Sequence, residues 1–159
     1  MKLTTHTDYA LRVLIQVGLL EGRLVRIAEI AESFGISHNH LMKVVQRLAG
    51  LGFVETVQGR HGGVRLALPA DAISVGEVVR ELEADIPVVE CFDVDASRCR
   101  IRGACVLRKA LVTAREAFLE SLDAVSLADL LQPRRQLSRL LLPPRSKQDT
   151  RGRAARRIT

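Results

Sequence analysis

Apolar side chains recur along this chain at helical spacing, in stretches separated by short breaks rich in glycine, and that rhythm predicts its elements. From Thr5 to Leu20, Tyr9, Val13, Ile15, Val17 and Leu20 give a broad apolar face, and Gly18 and Gly22 punctuate its end, so a first helix is expected there. Thr5 followed by Asp8 has the spacing of an N-terminal capping box with Asp in place of Glu. Val25 to Phe34 repeats the pattern over a shorter span, with Ile27, Ile30, Ala31 and Phe34 on one face and Gly35 where a left-handed C-terminal cap is expected. Ser37 is a good N-cap for a third helix, His38 to Leu51, which turns Leu41, Val44, Val45 and Leu48 inward.

The period then changes. Phe53 to Gln58 and Val64 to Leu68 read as strands around Gly59-Arg60-His61-Gly62-Gly63, a glycine-rich hairpin tip, and Pro69 stops the second strand. Ser74 with Glu77 opens another helix that runs to Leu82. Asp85 to Gly103 is irregular. A long helix is expected from Ala104 to Leu122, where Leu107, Leu111, Ala114 and Phe118 have the spacing of a helix-pairing seam. Ser126 with Asp129 caps a last short helix, and the arginine-rich stretch after it, with Pro143 and Pro144, reads as a disordered basic tail. The expected architecture is mainly α with a small β-wing. A winged helix-turn-helix DNA-binding domain occupies 1–82, a loop at 83–103 joins Cys105 in holding the cysteines, a dimerisation helix and short terminal helix fill 104–132, and the tail is 133–159.

Composition sharpens two points. Of 159 residues 47% are hydrophobic but only 3% aromatic, so the core must be aliphatic. The net charge of +6 belongs mostly to the tail, since residues 1–70 carry eight Lys/Arg against five Asp/Glu, residues 71–132 seven against twelve, and residues 133–159 nine against one. Any affinity for nucleic acid must therefore be argued from particular residues and not from the overall charge. The polar start, without an apolar leader segment, and the lack of a long apolar run predict a cytoplasmic protein with no membrane partner.

Helix, tight glycine turn, helix and two-stranded ribbon is the order of a winged helix-turn-helix, in which a helix enters the major groove and a basic hairpin tip approaches the duplex beside it. The candidate contacts to double-stranded operator DNA are Ser37, His38, Asn39, His40 and Lys43 at the start of the third helix, and Arg60, His61, Gly62 and Arg65 on the wing.

The three cysteines, Cys91, Cys99 and Cys105, lie close together in an arginine-containing loop. An odd number in a cytoplasmic chain argues against structural disulfides, and their wide gaps differ from the paired knuckles of structural zinc sites. Soft thiolates spaced this way suit an iron–sulfur cluster, with Cys105 at the start of the long helix, where the positive dipole end favours the thiolate. Three cysteines leave a four-ligand cluster one ligand short; Glu90, Asp93, Asp95 or a residue from elsewhere, including a partner subunit, are the candidates.

With both halves assembled, the sequence resembles the iron–sulfur winged-helix repressors that include NsrR and IscR. The resemblance is carried by Leu3-Thr4 and Thr7-Asp8-Tyr9-Ala10-Leu11-Arg12, by Ile36-Ser37-His38-Asn39-His40-Leu41 with Lys43-Val44, by Gly59-Arg60-His61-Gly62-Gly63-Val64-Arg65-Leu66, and by Gly76-Glu77-Val78-Val79-Arg80. It implies a homodimeric repressor and not an enzyme. IscR-like members place a histidine ligand where this chain has Arg108, so the resemblance leans to the nitric-oxide-sensing members, with a 4Fe–4S cluster in preference to 2Fe–2S and Asp8 of the other subunit as fourth ligand. The first cysteine gap is longer than is common in the family. Two other roles stay open at this stage: cluster-dependent control of iron–sulfur biogenesis or of a redox or iron response, and a small iron–sulfur electron carrier. A zinc-bound structural regulator is a third. No Ser/His/Asp set, P-loop or dinucleotide glycine motif points to catalysis.

Overall fold

In the computed structural model, residues 2–83, 89, 92 and 99–142 are described. Helix α1 (Thr5–Leu19) is the central rod, and α2 (Ile27–Phe34) and α3 (His38–Gly50) cross it. A two-stranded antiparallel wing follows, β1 (Val54–Val57) and β2 (Gly63–Leu66), then a single 3-10 turn at Ala70–Ala72. Four helices complete the described chain: α4 (Val75–Leu82), α5 (Val106–Asp123), α6 (Leu127–Leu130) and α7 (Arg134–Leu141).

The core is aliphatic, as the scarcity of aromatics requires. Ala10, Val13, Leu14 and Val17 of α1 meet Ile30 of α2 and Leu41, Val44, Val45 and Leu48 of α3, all buried. Gly35 ends α2 in the left-handed conformation at φ 64°, a value that favours a residue without Cβ, and its neighbour Ile36 packs into the core. A second, smaller cluster joins Val75 and Val79 of α4 to Leu119 of α5.

Five expectations are revised. The first helix is capped by Thr4 and not by Thr5 with Asp8: the Thr4 hydroxyl accepts the Thr7 amide at 3.2 Å, in the usual extended N-cap conformation. Val25 is not helical; it exchanges hydrogen bonds with Val64 at 2.9 and 2.8 Å, adding a one-residue bridge to the wing, and α2 starts only at Ile27. The other elements begin or end within one or two residues of expectation; α3 stops at Gly50, and β1 and β2 are shorter than the runs that predicted them. The long helix starts at Val106, with Cys105 as its N-cap. Finally, residues 134–141 are helical and docked, whereas the chain past 132 was expected to be a disordered tail. Leu137 and Leu141 pack against the core, and Arg134 donates to the Leu19 carbonyl at 3.0 Å, so apolar burial outweighs the arginine-rich composition there. Residues 143–159 lie outside the described residues.

Candidate nucleic-acid interface and cysteine site

The start of α3 is built for exposure. Ser37 is the N-cap and accepts the His40 amide at 3.3 Å, which fixes the first turn, while Leu41, Val44, Val45 and Leu48 clamp the opposite face into the core. Ser37, His38, Asn39, His40 and Lys43 are therefore left in solvent as one polar surface on a rigid support. Arg47, one turn on, reaches away and donates to the Glu81 carbonyl at 3.4 Å.

The wing presents Arg60 and His61 in solvent at its tip. Gly59 turns the chain at φ 104°, and a Cβ on Gly62 would overlap the Val57 carbonyl, so both glycines are demanded by the turn itself. Gly62 thus shapes the wing, and its amide is already given to the Gly59 carbonyl at 2.9 Å. Arg65 is exposed but pairs with Glu55, its cross-strand neighbour in the register, at 2.6 Å. Its guanidinium is shared between that carboxylate and any phosphate that approaches.

The cysteines fall between α4 and the start of α5 in the chain. Cys105 is half-buried at the N-cap of α5, and its sulfur accepts the Arg108 amide at 3.4 Å. Cys99 is exposed and precedes the turn that leads into α5. Cys91, and with it Glu90, Asp93 and Asp95, lies outside the described residues. The two described thiols fit a thiolate-held cluster: they are soft donors near one helix N-terminus, and Cys105 already receives an N–H of the kind that stabilises ligating sulfur.

Asp8 projects from the first turn of α1, its side chain 48% exposed, and forms an ion pair with Arg12 at 2.8 Å. That guanidinium also stands over the rings of Tyr9 and Phe34, 6.0 and 5.7 Å from their centroids. Asp8 is thus accessible to a partner chain, and anything that binds its carboxylate competes with Arg12.

Sequence reasoning missed the node that secures this turn. Glu83, the first residue of the cysteine loop, accepts from the Thr4 amide at 2.9 Å, from the Thr4 hydroxyl at 2.8 Å and from the Thr7 hydroxyl. Burial pushes this carboxyl up, but the bonds from Thr7 and Thr4 outweigh it and hold it below the ordinary value. The stem of the cysteine loop is thereby tied to the helix turn that carries Asp8. No local pattern signals a contact between residues so far apart in sequence.

The Rrf2 family model, described as "Iron-dependent Transcriptional regulator", matches residues 3–133. The chain is 47% identical to the HTH-type transcriptional regulator NsrR of Bacillus subtilis over 142 residues, 89% of this chain and 97% of that protein. It is 49% identical to the protein of the same name from Geobacillus kaustophilus, again over 89% of this chain and 97% of the relative. Among solved structures, CymR, the global cysteine regulator of B. subtilis, superposes with a TM-score of 0.65 at 28% identity, covering 82% of this chain and 95% of that one. IscR of T. potens does so with 0.67 at 25% identity, covering 84% and 88%. These relatives are regulators of transcription rather than enzymes, and among the described residues no helix is long and apolar enough to cross a membrane. The chain therefore belongs to the Rrf2 family of transcriptional regulators.

Proposed function

We propose that this regulator is a cytoplasmic homodimeric repressor that binds operator DNA and holds an iron–sulfur cluster, 4Fe–4S in preference to 2Fe–2S, through Cys91, Cys99 and Cys105, and that nitric oxide lifts the repression. The single observation that carries the reading is the position of Cys105, capping α5 with an amide already on its sulfur, in a chain that also exposes the polar start of α3 and a basic wing tip. When bound, the cluster supplies iron that nitric oxide can attack.

The residues of the chain have separable tasks. Cys99 and Cys105 hold the loop against the start of α5, and Cys91 completes the thiolate set. Asp8 of the partner subunit is the fourth donor, and it reaches that role only by leaving Arg12, so Arg12 sets how firmly the carboxylate is offered. Ser37, His38, Asn39, His40 and Lys43 address one major groove, and Arg60, His61 and Arg65 the adjacent backbone, with Gly62 letting the wing approach closely. On α5, Leu107 and Phe118 are 66% and 37% exposed, and Leu111 and Ala114 continue the same row, which supports pairing with the α5 of a second copy. Two heads on a paired α5 contact two half-sites, so a shift of Asp8 that moves α1 spoils their spacing and weakens binding steeply.

The test is an anaerobic preparation examined by visible absorption, Mössbauer spectroscopy and gel shift on promoter DNA. The expected result is a thiolate-bound cluster, tight DNA binding and release on stoichiometric nitric oxide, all lost in Cys99→Ala. A Cys99→Ala protein that still binds promoter DNA tightly and lets go on nitric oxide overturns the proposal.

A further inference from the structure

Helix α3 turns one large apolar side chain into solvent. Met42 is 50% exposed and joins neither hydrophobic cluster, although Leu41, Val44 and Val45 beside it are all buried. The other outward positions as far as Arg47 are His38, Asn39, His40, Lys43, Gln46 and Arg47 itself, every one polar or charged and exposed. A single apolar side chain on a protein surface is ordinary. What sets Met42 apart is the face on which it stands.

Residues three and four apart share a helix face, so Met42 lies beside His38 and Asn39 in the preceding turn and Gln46 in the next. The backbone under this face is fixed at both ends. Ser37 holds the His40 amide at 3.3 Å, and Arg47 donates to the Glu81 carbonyl at 3.4 Å. With Leu41, Val44, Val45 and Leu48 clamped in the core, the helix offers its outward side chains without rearrangement.

In the major groove every base edge offers donors or acceptors, and thymine adds an apolar group, its 5-methyl. The polar neighbours of Met42 suit the donors and acceptors but not the methyl. A thioether chain is flexible and polarizable and fills irregular apolar contacts. At about 1.5 Å of rise per residue, Met42 stands about 4.5 Å along the axis from Asn39, little more than the roughly 3.4 Å between successive base pairs.

We propose that Met42 is a specificity-determining residue that packs on the 5-methyl of a thymine in each half-site, within two base pairs of the base that Asn39 contacts. This rests on the reading that α3 enters the major groove. The contact is apolar, so it selects a base without adding to the salt dependence.

The full chain, purified without oxygen, first selects its sequence from a randomised pool of duplexes. Each thymine of that sequence is then replaced in turn by deoxyuridine, which lacks only the 5-methyl and keeps every donor and acceptor. Binding to each duplex is measured for the unmodified chain and for Met42→Ala. One thymine in each half-site is expected to matter, its replacement weakening the unmodified chain about threefold to fivefold, the worth of one buried methyl. Met42→Ala is expected to bind the thymine and deoxyuridine duplexes alike, with an unchanged salt slope. Because Met42 is exposed, the variant should unfold in urea at the same midpoint as the unmodified chain. If no deoxyuridine duplex binds more weakly, or if Met42→Ala discriminates as strongly as the unmodified chain, the methyl contact is overturned. The reading of α3 then still stands where Asn39→Ala relaxes the selected sequence. A full chain that selects no sequence overturns both.

Discussion

Glu83 closes the first turn of α1 by accepting both the amide and the hydroxyl of Thr4, at 2.9 and 2.8 Å. With the Thr7 hydroxyl on the same carboxylate, the end of α4 and the start of α1 become one unit, and the chain enters the cysteine loop directly from it. Glu83→Gln keeps the size but removes the charge, and is expected to destabilise the protein by about 1–3 kcal/mol, the cost of loosening a partly buried charge-assisted network. Urea unfolding measures this. The first turn should also fray, so that exchange of the Asp8 amide, which is bonded to the Thr4 carbonyl at 3.0 Å, becomes faster relative to the core. An unchanged exchange rate with lowered stability would place the effect elsewhere.

Gly76 marks the closest approach of α4 to α5. A Cβ there would run into the backbone and side chain of Asp123, whose carboxylate is bonded to Arg80 at 2.7 and 3.0 Å. Backbone cannot swing aside as a flexible side chain can, so Gly76→Ala must push α5 off α4 and strain the Arg80–Asp123 pair. The expected loss is about 1–3 kcal/mol in urea unfolding. An alanine that stabilises the protein, as a helix-interior glycine replacement otherwise would, contradicts the close approach.

How far the sequence reaches depends on the range of each interaction. The cap of α3 at Ser37, the left-handed Gly35 and the Ser126–Asp129 capping box are local, and all three are where the pattern puts them. Thr4 replaces Thr5 as the first cap because its partner Glu83 lies far along the chain, where no spacing rule reaches. Helix α7 was hidden by its arginines, although Leu137, Leu140 and Leu141 stand at helical spacing; what decides the matter is the surface of α1 and α2, which only the fold provides. The Arg65–Glu55 pair was within reach, because the register of a hairpin places those two residues opposite each other. Of the proposed ligands, Asp8 could be located but its engagement with Arg12 could not be weighed, since Asp8 with Thr5 also matched a capping pattern that the structure does not use.

The residues proposed to face DNA divide by what they can read. Asn39 on the exposed first turn of α3 has an amide able to pair with a base edge, so Asn39→Ala is expected to relax sequence preference at one position of each half-site, at about 1–3 kcal/mol. Lys43→Gln and Arg60→Gln should weaken all sequences alike and flatten the salt dependence. Arg65→Gln is expected to do less than Arg60→Gln, because Glu55 already shares its charge. Binding selections on randomised duplexes, repeated at two salt concentrations, separate these outcomes.

Glu29 sets an acid limit on the start of α2. Hydrogen bonding from Arg23 is the main cause that lowers its carboxyl from 4.5 to about 2, against the opposing effect of partial burial, with further help from the Arg26 amide and side chain. The carboxylate lies 2.7 Å from Arg23 and 3.2 Å from the Arg26 amide. A group whose folded value is depressed stabilises the fold fully above its unfolded value and loses that contribution as pH falls through the folded one. The stabilisation from Glu29 should therefore be complete above 4.5 and fade between there and about 2. Because the side chain is 28% exposed, water screens the pair and the net worth is about 1 kcal/mol, less than the shift taken at face value. A double-mutant cycle of Arg23→Gln and Glu29→Gln, followed by urea unfolding as pH is lowered, should show a coupling that is steady at neutral pH and shrinks below 4.5. A coupling that grows on acidification would mean that the carboxylate is strained rather than favoured by its arginines.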